Sequence, residues 1–583
     1  MAKRQTRPKR IKADRPCGDA ARAQGHTLAT HGVGAVPMVN RILEEMKLEK
    51  FLTSYLPQED GRTKVSTART LMVLIKNVLL ARDPIYGVGE WAAGYAPELL
   101  GLTPCQVTLL NDDRVGRCLV KLCQCDYASL TLAVATHVVK RFQVRLDELH
   151  NDSTTVTFHG AYDQEGVESR DPNASPLLIT WGHNKDHRPD LKQLLYILTV
   201  ARDGAVPVYF TAASGNVTDD TTHRDTWDLL CELAGRRDFL YVADCKLASA
   251  ANLNYIHRNG GRFLTVLPRT RREDKEFRKR LLQGRIHWRT VKEEKNEAGE
   301  LVDRVSIWEE PTVSHEGYPI YWYHSTRKVE LDAAARATRV NRALTRLAEI
   351  EAKLQGPKPR IRTKAKALEA AVQILRHCRV EGLIRIEAQE RRMEQYRQDR
   401  RGRPGKDTRY VKQVRTYCAL QCQIDQEAIE REEAGDGVFP LITNLESLSA
   451  REVLEAYKKQ PLIEKRFSQL KTDFRVAPVY LKSPLRIEAL LCVYFFVLMT
   501  QALLERELRR AMERKGVKAI RLYPERRLCH RPTARRLIDL FENIQRHTLH
   551  TRGQAPVTMV TELSRVQRQV LRLLGLPATP YGR

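Results

Sequence analysis

The sequence predicts an α/β chain: a mixed sheet with helices on its faces, a helical domain ahead of it and a large insertion within it. Three observations carry this. Apolar residues recur at helical spacing through residues 30–148 with no strand series among them. From Leu149 the pattern turns to short β-branched and aromatic runs separated by helical stretches. Residues 270–437 then break that alternation before Val438-Phe-Pro-Leu-Ile-Thr restores it. With 583 residues, 42% of them hydrophobic, the chain has ample material for a core, which excludes wholesale disorder.

Taken in order, residues 1–29 open Met1-Ala-Lys-Arg-Gln-Thr-Arg-Pro-Lys-Arg with no apolar region behind them. That is a flexible, phosphate-seeking arm rather than a secretory signal. Residues 30–148 form the helical domain, with helices expected over 38–46, 70–80 and 130–142, and with a basic surface suited to docking nucleic acid. Residues 149–269 begin the sheet. Thr154-Thr-Val-Thr-Phe, Pro176-Leu-Leu-Ile-Thr-Trp, Gln193-Leu-Leu-Tyr-Ile-Leu-Thr-Val and Val206-Pro-Val-Tyr-Phe-Thr are strands by composition, the last two joined by an Asp203-Gly hairpin turn. A helix over 221–233, the short apolar strand Phe239-Leu-Tyr-Val-Ala, a helix over 249–259 and the strand 262–267 complete this part.

Within the insertion, 271–285 is a basic helix and 305–324 holds two strands with Trp308 and Trp322. Val340, Leu344, Leu347 and Leu354 follow a heptad up to Gly356-Pro, and a second helix is expected over 363–400, making an antiparallel helical hairpin. Residues 438–504 return to the core, where Ser449 and Glu452 form a capping box. The apolar run 489–499 is shorter than the roughly 20 residues of a spanning helix, so a helix buried inside a soluble core is expected. Residues 505–583 read as helical and Arg-rich.

The chain carries 98 Lys+Arg against 71 Asp+Glu, a formal charge of +27. An excess of that size on a folded chain points to a polyanionic partner, nucleic acid first. Its 12 cysteines form no Cys-x-x-Cys pair and lack His partners at zinc spacing, as expected of reduced thiols in the cytoplasm.

Three acids stand in distinctive places. Asp152 lies in the first strand of the sheet, Asp244 ends the short apolar strand, and Glu464 lies in Leu462-Ile-Glu-Lys-Arg-Phe. An acid at the mouth of an apolar strand is where a parallel sheet places functional groups. Tyr457, Gln460, Glu464 and Lys471 fall on one face if the segment is a single helix, although Pro461 can kink or split it.

Tyr457-x2-Gln460-x3-Glu464-x6-Lys471 resembles the Tyr-x2-Arg-x3-Glu-x6-Lys signature of the insertion-sequence-four-like DDE transposases, matching three of its four places. Gly182-His-Asn-Lys-Asp-His-Arg-Pro-Asp-Leu-Lys-Gln followed by Ser214-Gly-Asn-Val-Thr-Asp is similar to the block between that family's first two acids. The likeness runs from about 111 to about 504. It implies an RNase H-like core whose metal triad is Asp152, Asp244 and Glu464, holding two Mg²⁺ ions (Mn²⁺ as substitute) about 4 Å apart. It also implies an insertion before the Glu, a slot that 270–437 fits. Tyr457, Gln460 and Lys471 are the expected DNA-binding residues. Lys458, Lys459 or Lys465 can substitute for the missing Arg, and Gln460→Arg is expected to hold or raise activity.

The implied function is a transposase that binds terminal inverted repeats of an insertion sequence, cleaves the DNA and joins its 3′-hydroxyls to a target, with release through hairpinned ends as one route. A homodimer on double-stranded DNA and a cytoplasmic, nucleoid-associated bacterial setting go with it. The rival readings are an RNase H-fold nuclease without strand transfer and a catalytically silent DNA-binding protein descended from a transposase.

Overall fold

A computed structural model of the chain describes residues 26–162, 177–284, 286–296, 298–310, 312–356, 359–473, 481–523 and 525–581. Most of the expected basic arm and the beginning of the Pro176 run therefore lie outside the described residues. The chain divides into two units, Met1–Phe263 with Tyr457–Arg583, and Leu264–Ala456.

In the first unit the leading region is helical as expected, with Val36–Glu45, Thr67–Leu80, Asp112–Gln124 and Tyr127–Phe142 as its main helices. Side chains of Ser66, Asn111 and Asp126 each accept a hydrogen bond from the backbone N–H three residues on, satisfying orphan donors at three helix starts. Two expectations need correction. His26–Gly32 is a strand, and it pairs antiparallel with Gln545–Thr551, which pairs in turn with Val557–Val560. The C-terminal region is therefore not wholly helical, and the helical domain begins in a strand. The first of these strands has its only partner more than 500 residues away, whereas the last two form a local hairpin.

The larger sheet runs through this unit in the order Pro207–Ser214, Lys192–Ala201, Glu148–Phe158, Leu240–Val242. The first three are antiparallel and the last pair is parallel. The expected strand at 176–181 is replaced by a single bridge between Thr180 and Gln193.

The run 489–499 is the middle of a longer helix, Pro484–Arg514. By length and composition that helix could cross a membrane, but 94% of its most apolar stretch is buried inside the protein. Phe495 stacks on Phe210 of the sheet with ring centroids 5.8 Å apart, and Phe210 meets Tyr196 at 4.6 Å.

In the second unit the last three residues of Arg262–Val266 pair with Val438–Thr443, followed by Pro319–Ser325, Leu301–Trp308 and Trp288–Lys295, all antiparallel. The Val438 strand lies in this unit, which runs to Ala456. Phe277 of the helix Arg272–Leu282 stacks on Trp322 at 3.8 Å. Ser449 and Glu452 make the expected capping box, with reciprocal bonds of 2.9 and 3.3 Å.

The heptad holds: Val340, Leu347 and Leu354 of the helix Thr326–Gln355 pack with Ala367, Ala371 and Leu375 of Lys364–Cys378. The second helix, however, stops at Cys378 and does not reach residue 400. Arg379 and Gly382 take left-handed backbone angles (φ +55° and +84°), which ends the helical path. Ile384–Gln398 then pairs over its full length with Tyr410–Ile424. Its Ile384, Ile386 and Ala388 alternate with polar residues and seat on the two helices, a period-two pattern that the helical reading missed.

Candidate active site

Asp152 lies within the strand Glu148–Phe158, and Asp244 follows the strand Leu240–Val242. These strands are parallel, with His150 opposite Val242. Two residues further along each chain stand Asp152 and Asp244, so strand register alone makes them neighbours. Asp244 has left the strand and caps the short helix Cys245–Ala248, accepting the Lys246 N–H at 3.0 Å. Burial pushes the Asp152 carboxyl up to about 6, with Lys185 opposing and the negative charge of Asp244 adding to the rise.

Lys185 and Asp219 complete this cluster, and neither was singled out from the sequence. The Lys185 ammonium lies 3.3 Å from Asp152 Oδ1 and 3.0 Å from Asp219 Oδ2, and donates at 2.7 Å to the Ser153 carbonyl. Ser153 Oγ donates to Asp219 at 2.8 Å. Burial pulls the ammonium pKa down, yet Asp152, Asp219 and Asp244 outweigh it and Lys185 sits above its ordinary value.

Both residues belong to the two blocks that resemble the transposase family, and two glycines explain why those blocks come together. A Cβ on Gly182 would overlap the Gly215 carbonyl oxygen, and one on Gly215 would overlap the carbonyls of Gln193 and Thr180. The close approach this allows lets Gly215 N–H donate to Leu178 and Gln193 N–H to Thr180, at 3.0 and 2.9 Å. Asn184 Oδ1 then accepts from Asp186 N–H at 2.8 Å, turning the loop so that Lys185 faces Asp152.

The Glu464 segment is not one helix. Pro461 splits it into Ala450–Tyr457 and Pro461–Ser468, and Gln469–Asp473 is π-helical, so the single-face spacing from 457 to 471 does not hold. Glu464 is exposed on the first turn of its helix. Tyr457 still reports where the acids are: burial first, then the charges of Asp244, Glu464 and Asp152, raise its phenol above the ordinary range. All three acids therefore bear on one hydroxyl.

Gln460 is 7% exposed and turned inward. Its Oε1 lies 2.9 Å from His150 Nδ1 and its Nε2 donates to the Asn151 carbonyl at 3.2 Å. The other ring nitrogen of His150 lies 2.9 Å from Glu148. Gln460 thus fastens the Glu464 helix to the Asp152 strand, and the expectation that it touches DNA is corrected by this burial. Lys465 and Lys459 also have internal partners, Glu505 at 3.3 Å and Glu148 at 3.7 Å.

Arg466, wholly buried, donates to the carbonyls of Ala205 and Gly204 at 2.9 Å each and meets Glu505 at 3.3 Å, a second anchor for the same helix. Lys471 lies at the surface, paired with Asp186 at 2.7 Å.

Among the described residues no three His, Cys, Asp or Glu side chains close around one point as a finished metal cage. The donor chemistry nonetheless fits a hard cation. Asp152 and Asp244 are oxygen donors whose mutual repulsion calls for positive charge, and Lys185 supplies it.

In this mixed α/β fold one carboxylate within a strand, Asp152, stands beside another, Asp244, that follows the parallel neighbouring strand. The chain belongs to the transposase DDE domain family, whose model matches residues 147–500. Residues 28–136 match a domain of unknown function (DUF4277). No curated protein matches the chain. Among solved structures it is similar to a piggyBac transposase synaptic complex with hairpin DNA, at 8% identity over 87% of this chain and 78% of that one. The TM-score of 0.31 is too low to carry an argument about fold or mechanism.

Proposed function

We propose that the chain is a DNA transposase of the insertion-sequence-four-like group, acting on the ends of its own element through an RNase H-like core. The observation that carries this reading is the parallel pairing that brings Asp152 beside Asp244, with Glu464 close enough to act on the same tyrosine. Asp152, Asp244 and Glu464 would hold Mg²⁺, or Mn²⁺ in its place. Two such ions supply Lewis acidity at the scissile phosphate and at the attacking and leaving oxygens.

The chain's own groups do the rest. Asp152, hard to ionise while buried, is charged at neutral pH and ready to ligate. Lys185 neutralises the cluster beforehand and keeps Asp219 as its partner afterwards. Tyr457 and Lys471 flank Glu464 and position the strand to be cut, a phenol and an ammonium for successive phosphates. Gln460 and Arg466 hold the helix in register with the sheet. Joining follows when a freed 3′-hydroxyl replaces water as the attacking group. Two protomers on double-stranded DNA, one per end, complete the reading.

Asp152→Asn, Asp244→Asn and Glu464→Gln are each expected to abolish cleavage of a transposon-end duplex in Mg²⁺ while binding stays within a few-fold. The cationic surface that supplies most of the affinity is untouched by these changes. A variant that cuts at the wild-type rate removes its residue from the site.

A further inference from the structure

The paired strands Ile384–Gln398 and Tyr410–Ile424 are far longer than the packing beneath them requires. Their first residues, with Leu420 and Cys422 across the pair, seat on the helices Thr326–Gln355 and Lys364–Cys378. From residue 389 to residue 417 no side chain is buried. The pairing nevertheless continues in unbroken register from Arg391↔Tyr417 to Gln398↔Tyr410. Eight residues at about 3.4 Å each make a free ribbon roughly 27 Å long, most of one turn of duplex DNA. A two-stranded ribbon with both faces in water is at best marginally stable, so this one is built to be covered.

Its chemistry says by what. Between residues 389 and 417 stand ten Lys or Arg and four Asp or Glu. They are not spread evenly. The face continuing from the packed base carries Glu390, Arg392 and Glu394, the last paired with Lys412 at 2.5 Å, so its charges balance. Beyond Glu387 at its base, the opposite face carries Arg391, Gln395, Arg397, Gln413 and Arg415 and no carboxylate. Arg and Gln are the side chains that read guanine and adenine edges, and the major groove admits a two-stranded ribbon. The connecting turn adds Arg400, Arg401 and Arg403, all exposed.

We propose that this arm is a second DNA-binding element, separate from the carboxylate site. Its Arg391/Arg397/Arg415 face lies in the major groove, and the arginines of the turn hold the flanking phosphates. The proposal rests on the reading above only in taking duplex DNA as the partner. A bare Lys/Arg-guarded strand edge would need basic residues but no face cleared of acids.

Two variants of the full chain test it, both altering residues whose side chains lie outside the packed base. Arg400→Ala with Arg401→Ala and Arg403→Ala is expected to lower the slope of log affinity against log salt by about 2–3, near 0.9 per phosphate contact. Arg391→Ala with Arg397→Ala and Arg415→Ala is expected to weaken binding to an end duplex at least tenfold. It should also abolish protection of guanine N7 from methylation, a major-groove signal. Both should melt at the wild-type temperature.

Unchanged affinity and protection in both variants would overturn the arm's role and leave the transposase reading standing. Loss of dimer on DNA with unchanged affinity per protomer would overturn it in favour of a second copy of the chain as partner. A wild-type chain that binds no duplex would sink both readings. Cleavage surviving Asp152→Asn bears only on the carboxylate site and leaves the arm's role standing.

Discussion

Asp152 resists ionisation because it is buried beside another carboxylate, and that leaves a thermodynamic trace. Its pKa is about 6 in the folded chain and about 3.9 when unfolded. Between those values the folded state holds more protons, so the residue's contribution to stability falls as pH rises from 4 to 6 and stays low above. Asp152→Asn removes this dependence. In metal-free buffer it is expected to gain about 1–3 kcal/mol on wild type at pH 8 relative to pH 4, by urea unfolding. An equal difference at the two pH values would mean that Lys185 already cancels the burial cost. A carboxylate whose burial lowers the stability of its own fold is a conflict expected of a functional residue rather than a packing one.

The element that matters most is the short helix Pro461–Ser468, because it brings Glu464 to a sheet from which it is remote in sequence. Two buried polar side chains hold it: Gln460 to His150 and the Asn151 peptide, Arg466 to Gly204, Ala205 and Glu505. Gln460→Arg, which restores the family signature, is therefore expected to harm this chain. A guanidinium in that slot displaces both amide bonds and buries a charge beside the His150 ring, whose other nitrogen is held by Glu148. We expect a loss of about 1–3 kcal/mol in thermal or urea unfolding, with slowed cleavage on pre-bound DNA. Wild-type stability with faster cleavage would show instead that the slot opens to phosphate.

On the scale of the molecule, the helix Pro484–Arg514 is the apolar mass on which the first unit is built. Its residues from Ala489 to Leu504 are buried without exception, and Phe495 and Phe496 are 0% exposed. Phe496→Ala is expected to cost about 3–5 kcal/mol, read as a lowered urea midpoint of the full chain. A loss under 1 kcal/mol would mean that the site collapses around the missing ring. Charge works at the same scale in the opposite direction: +27 spread over a folded chain repels itself, and the cost is recovered when a polyanion is bound.

Local chemistry made much of this legible in advance. The switch from helical to strand periodicity at Leu149 depends only on neighbouring residues, and so do the Ser449 capping box and the apolar strand ending in Asp244. Each of these appears in the structure where the pattern placed it. Asp244 stood out for the same reason, as an acid at the end of a short apolar strand, although such an Asp also serves as a cap, and here it caps Cys245–Ala248. Pairing between distant segments was not visible. His26–Gly32 becomes a strand because Gln545–Thr551 lies beside it. Ile384–Gln398 becomes one because Tyr410–Ile424 covers its hydrogen bonds, overriding a charged run that reads as helix. Lys185 and Asp219 stood in recognised blocks, but only the contact at Gly182 and Gly215 sets them against Asp152. Gln460 looked like a surface residue by spacing and is an internal bolt by burial. Periodicity reports which face of an element is apolar, whereas only the folded chain decides which polar groups are removed from water together, and on that the chemistry of the site depends.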